Sequence, residues 1–96
     1  MALILVTGSV TTTTASHEAA MRLSLEHVHR SRAEPGCLSH DLHLDAENPL
    51  RLVFLERWTD RDALDEHLAV PASREFAAAI APLAAERPSM DIYEVR

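Results

Sequence analysis

Glu56, Trp58 and His67 are the residues whose types and spacing best suit chemistry. Glu56 and Trp58 lie two apart in the stretch from Phe54 to Trp58, so on a pleated strand they share one face. Just beyond, Ala63, Leu64, His67 and Leu68 follow helical spacing. An acid, an indole and an imidazole are therefore predicted to face one interior. A buried carboxylate is unfavourable unless it is paired, and His67 is the predicted partner of Glu56. In a catalytic version of the pair, Glu56 orients the imidazole and His67 removes a proton, the role for which histidine's ordinary pKa suits it. In a structural version the same two side chains clasp strand to helix. Trp58 is expected to wall a pocket, where its indole can stack on a flat substrate. His40, on the apolar face of another strand, is a further candidate for that pocket or else a hydrogen-bonded core residue.

The elements that must position these groups belong to a chain of 96 residues. That length makes a single domain, 1–96, hiding only about two-thirds of its unfolded surface. Hydrophobic residues make up 47% of it, but only four are Phe, Trp or Tyr, so the core is read as Leu, Ala, Val and Ile. The formal charge is −6 and every one of the nine basic residues is arginine. Scattered cations on an acidic chain argue against nucleic-acid binding, which draws on clustered Lys and Arg. One cysteine, Cys37, permits neither an internal disulfide nor a thiolate metal cluster. The histidine spacings 27/29 and 40/43 do not match a helical zinc pair, so no metal is expected. With two glycines and no glycine-rich loop, no nucleotide or flavin cofactor is expected either. No basic leader or long apolar run directs the chain to a membrane, so a cytoplasmic protein is expected.

In chain order, residues 2–10 read as a strand apolar on both faces, covered twice. Ser16 is a plausible N-cap for a helix reaching about Ala33, with Met21, Leu25 and Val28 as its buried stripe and His17, His27 and His29 outside it. Glu34-Pro35-Gly36 stops that helix. Residues 37–45 alternate, with Leu38, His40, Leu42 and Leu44 on the apolar face. After the turn 46–49, the strand 50–58 returns as a hairpin, with Leu52, Phe54, Glu56 and Trp58 on one face and Val53 and Leu55 on the other. Thr59 and Asp62 have capping-box spacing for a helix that Pro71 interrupts. A second helical piece, 72–81, presents Phe76, Ala77 and Ile80, and residues 90–95 form a last strand. The order β-α-β-β-α-β is that of a ferredoxin-like α+β fold, an antiparallel sheet with its helices on one face. The opposite sheet face, with Leu3, Leu5, Val53 and Leu55, is then bare unless two copies pair.

Glu34-Pro35-Gly36-Cys37-Leu38, Phe54-x-Glu56-x-Trp58, Ala63-Leu64-x-x-His67-Leu68 and Pro71 to Phe76, taken in order, resemble the antibiotic biosynthesis monooxygenase (ABM) domain family over nearly the whole chain. The resemblance implies a homodimer whose sheets pack face to face as a dimeric α/β barrel, with a ligand pocket between each sheet and its helices. It also implies a cofactor-independent monooxygenase acting on a small aromatic, such as a quinol or an anthrone-like compound, together with O₂. On it, His67 and Glu56 are the catalytic candidates, and Trp58, Phe54, Leu64, His40 and Phe76 the substrate-binding ones. Phe54 and Leu64 stand where the polyketide oxygenases of the family place asparagine and tyrosine. The residues that haem-degrading members use are replaced here, by Thr7-Gly8-Ser9, His67 and Phe76. Two other readings of the same scaffold stay open: an isomerase or lyase in which His67 shuttles a proton, and a non-catalytic ligand-binding dimer.

Overall fold

The computed structural model describes residues 2–96. β1 (Leu3–Thr11) leads through a short turn into α1 (His17–Ser31), followed by the hairpin of β2 (Cys37–Asp45) and β3 (Asn48–Trp58). Then come α2 (Arg61–Ala69), α3 (Pro71–Ile80), a single 3₁₀ turn (Ala81–Leu83) and β4 (Ser89–Val95). The four strands form one sheet in the order β2-β3-β1-β4, antiparallel throughout. This is the α+β ferredoxin-like arrangement that the element order predicts.

Burial follows strand parity. Ile4, Val6 and Val10 of β1 and Leu52, Phe54, Glu56 and Trp58 of β3 are buried on the helix-covered face, in the register Ile4–Trp58, Val6–Glu56 and Val10–Leu52. On the other face Leu3, Leu5 and Val53 are half-buried and Leu55, Tyr93 and Val95 are exposed.

Three local expectations are corrected. β2 carries a bulge in which Cys37 pairs with Trp58 and Ser39 with Arg57, so Leu38 is the extra residue. A bulged residue leaves the ladder and lets its strand twist. Leu38 is accordingly 54% exposed, while Cys37 packs against the Trp58 cluster in its place. The cap of α2 lies one residue later than expected: the Asp60 carboxylate, not the Thr59 hydroxyl, accepts the Ala63 N–H at 2.8 Å. In α1 the buried face is Ala20, Ser24, His27, Val28 and Ser31, and Leu25 is exposed. Small side chains at that spacing let the helix lie close, so the face is set by size as much as by hydrophobicity.

Two breaks fix the helices that carry the site. Val70, held extended ahead of Pro71 (φ −64°, ψ 142°), ends α2, and the proline opens α3 at its first turn. Gly36 has φ +81°, and a Cβ there would lie 2.5 Å from Ala63 Cβ and 2.8 Å from Thr59 Oγ1. Only glycine lets the turn after α1 press on the start of α2. That contact carries Glu34 under the second helix.

Candidate functional site

β3 brings Glu56 and Trp58 to the same face, and the Trp58 indole N–H donates to Glu56 Oε1 at 3.0 Å. β2 sets His40 opposite Glu56 across the hairpin, with Nε2 3.3 Å from the same oxygen but outside hydrogen-bond geometry. From α2, His67 packs its ring on Trp58, centroids 4.6 Å apart, and brings Nε2 to 3.9 Å from Glu56 Oε1.

The expected Glu56–His67 pair is therefore a loose one, and His67's hydrogen bond lies elsewhere. Its Nδ1 stands 2.7 Å from Glu34 Oε1. An ionised carboxylate only accepts, so Nδ1–H donates to Glu34, and the neutral ring is left with a bare Nε2. The Gly36 turn explains the exchange of partners, because it delivers Glu34 to α2 while Glu56 is engaged by its own strand neighbour.

His27 also enters the site, although the helical stripe read from the sequence leaves it outside. It is 6% exposed and stacks on Phe76 of α3, rings 4.1 Å apart and 8° from parallel. Arg30 Nη2 donates to its Nδ1. Burial holds the His27 pKa down at about 3, and electrostatic repulsion of a His27 cation by the adjacent His40, His67 and Arg30 adds to the effect. Burial alone would raise the Glu56 pKa. The nearby His40, the Trp58 N–H and His67 together outweigh it, so the carboxyl is held below its usual range. Cys37 is pushed up, first by burial and then by Glu56 and Glu34, which leaves a protonated, weakly nucleophilic thiol.

Beside this polar cluster is a cavity of about 360 Å³ between the sheet and α3. Phe54, Phe76, Ile80 and Met90 contribute its apolar wall, and His27, Glu56 and His67 form a polar side. Its size suits a small organic ligand. Ser73 also lines it, with its hydroxyl buried and without a hydrogen-bond partner. Of the residues named from the sequence, Glu56, His67, Phe54 and Phe76 line the cavity. Trp58, Leu64 and His40 do not, being wholly buried behind it. Sequence reasoning missed His27, Glu34 and Ser73. The small-residue spacing of Ala20, Ser24 and Ser31 was the available signal for His27. Glu34 lies 33 positions from His67 and carries no periodic signal.

The sequence profile described as antibiotic biosynthesis monooxygenase matches residues 4–79, and the chain belongs to that family. A Synechocystis protein, sll1783, for which no function is stated, is 32% identical over 92 residues, covering 96% of this chain and 63% of its own length. The candidate monooxygenase Rv0793 of Mycobacterium tuberculosis is 42% identical over 53 residues, covering 55% of this chain and 52% of its own length. The chain thus spans between half and two-thirds of these two relatives. The Rv0793 structure superposes with a TM-score of 0.89 at 27% identity, covering 95% of this chain and 92% of that one. A crystal structure described as an antibiotic biosynthesis monooxygenase also gives 0.89 at 27% identity, covering 97% and 98%. Among the described residues no helix is long and apolar enough to cross a membrane.

Proposed function

We propose that the protein is a cofactor-independent monooxygenase that binds a small aromatic, a quinol or an anthrone-like compound, in the cavity beneath α3. The observation that carries this reading is His67 at the wall of an apolar cavity, its Nδ1–H tied to Glu34 and its Nε2 free to take a proton. Family membership and a monooxygenase-named relative support the same class of reaction.

His67 removes the phenolic or carbon-bound proton, and the resulting anion is electron-rich enough to pass an electron to O₂ against the apolar wall of the cavity. One oxygen atom enters the ring and the other leaves as water, so a quinol plus O₂ becomes a hydroxyquinone plus water. The substrate supplies the electrons. Phe54 and Phe76 hold the ring. Glu34 orients the base, while Glu56 with Trp58 and His40 forms the support behind it. The total burial of Trp58, Leu64 and His40 favours a supporting role for these three.

The test is oxygen uptake by metal-stripped protein with a panel of quinols and an anthrone, beside a folded His67→Ala variant. The expected result is uptake above the autoxidation blank, reduced by a factor of about 10²–10⁴ in the variant. Turnover that persists without oxygen would favour a proton-transfer isomerase or lyase instead. No turnover of any kind would leave a ligand-binding dimer.

The bare sheet face supports a homodimer formed through Leu3, Leu5, Val53, Leu55, Tyr93 and Val95, since contiguous exposed apolar area marks an interface. Light scattering behind a sizing column is expected to give twice the 10.6 kDa chain mass. A monomer at micromolar concentration would refute the pairing.

A further inference from the structure

We propose that His27, His40 and His67 form a three-imidazole site for a divalent first-row transition-metal ion, with one coordination position open to the cavity. The inference goes beyond the oxygenase reading and does not rest on it.

Three elements, α1, β2 and α2, each bring one imidazole to the same point. Ring centroids are 5.2 Å apart for His27–His40, 5.3 Å for His27–His67 and 5.5 Å for His40–His67. Each ring offers a nitrogen within 4.8 Å of the other two, and all three residues are buried. Packing alone does not account for the arrangement. Both ring nitrogens of His40 are buried without a hydrogen-bond partner, an unfavourable state for a polar side chain. A cation at the centre of the three rings would satisfy one of them.

The surroundings are also those of a metal site. The Nδ1–H of His67 donates to Glu34, the carboxylate–histidine arrangement that fixes the tautomer of a ligating imidazole and raises its basicity. Glu56 Oε1, 3.3 Å from His40 Nε2 and 3.9 Å from His67 Nε2, supplies a negative charge beside the ion or a fourth ligand. His27, His67 and Glu56 reach the cavity wall, so an ion held there is open to a small ligand or water. A purely imidazole set with carboxylate support favours Zn²⁺, Co²⁺, Ni²⁺, Cu²⁺ or Fe²⁺ over Mg²⁺ and Ca²⁺.

Two adjustments are required. Tetrahedral nitrogens around Zn²⁺ or Co²⁺ stand about 3.3 Å apart, so the rings must close inward by side-chain rotation. Arg30, which donates to His27 Nδ1, must also turn away if His27 binds through Nε2. Arg30 is only half-buried and its Nε has no partner, so little else holds it. An ion bound in this way takes the His67 lone pair, so metal occupancy and proton abstraction by His67 are alternative states of one site.

The test is titration of metal-stripped, full-length protein with Co²⁺, read by its visible d–d bands and by displacement with Zn²⁺. The expected result is saturation at one Co²⁺ per chain. Affinity is expected to be about 100-fold or more weaker in a folded His40→Gln variant, about 10–100-fold weaker in Glu34→Gln and unchanged in the exposed His43→Gln. In the wild-type Co²⁺ complex, hyperfine-shifted NMR signals from three imidazoles are expected, and that count decides the matter if His40→Gln does not fold. The proposal is overturned by the absence of saturable binding, by binding that survives His40→Gln or is lost in His43→Gln, or by fewer than three shifted imidazoles. Because binding is read directly, its failure is separate from failure of the oxygen-uptake test.

Discussion

Acidification from pH 7 to about pH 3.5 is expected to remove several kcal/mol of folding stability and to unfold the chain. His27 provides most of the effect. Its pKa is about 3 in the folded protein against an ordinary 6.5, because burial and repulsion by the adjacent His40, His67 and Arg30 disfavour the cation and Glu56 only partly offsets them. Between those two values the unfolded chain holds a proton that the folded chain does not, so stability rises with pH across this window and falls as pH is lowered through it. The full shift corresponds to at most about 5 kcal/mol, and solvent access through the adjoining cavity reduces the realised figure to ~2–4 kcal/mol. Glu56 acts in the same direction lower down. Its pKa is depressed, so the stability it contributes is present above about pH 4.5 and lost as pH falls through its folded value. Against a total of about 5–15 kcal/mol for a domain of this size, the sum is decisive. Urea unfolding at a series of pH values measures it. A folded His27→Gln variant should show a shallower decline between pH 6.5 and 4. An equally steep decline would assign the acid sensitivity to the exposed carboxylates instead.

How much of this was legible in the sequence depends on whether a residue's partners lie nearby in the chain. The face shared by Leu52, Phe54, Glu56 and Trp58 is a property of one strand and follows from its period of two. The β2–β3 hairpin follows from one turn, but its register does not, because a shift between Leu44 and Asp45 is what sets His40 opposite Glu56. The element order, and with it the sheet topology, follows from the stops at Glu34-Pro35-Gly36 and Pro71 and from the turn at 46–49. The orientation of α1 does not. Ala20, Ser24 and Ser31 count little on a hydrophobicity scale, yet their small size lets the helix approach the sheet and carries His27 inside. The bulge at Leu38 was equally hidden, because unbroken alternation gives no sign of an inserted residue. Glu34 was read only as a helix stop. Its second role depends on the Gly36 turn meeting Ala63, a tertiary contact with no local signature.

The division of labour between the two carboxylates gives the second large effect. Glu34→Gln is expected to lower kcat for oxygen uptake by about 10²–10⁴-fold with KM nearly unchanged, since Glu34 holds the base but does not line the cavity. The glutamine amide can donate to Nδ1 as well as accept from it, so the His67 tautomer is no longer fixed, and the charge that stabilises the imidazolium formed on proton transfer is gone. Ring-nitrogen NMR shifts of His67 report this independently of turnover. The wild type should show a protonated Nδ1 and a bare Nε2, and the variant a mixture. Little stability should be lost, because the Glu34 side chain is 17% exposed and water can replace part of its bonding. Glu56→Gln should behave in the opposite way. It removes the charged acceptor of the Trp58 indole N–H in a buried setting, so a loss of ~1–3 kcal/mol of stability is expected. Its kcat, measured on folded protein, should change less than about 10-fold, because His67 keeps its Glu34 bond. If Glu56→Gln instead abolished turnover and disturbed the His67 tautomer while Glu34→Gln did neither, Glu56 would be the orienting acid and the Glu34 bond a structural tether.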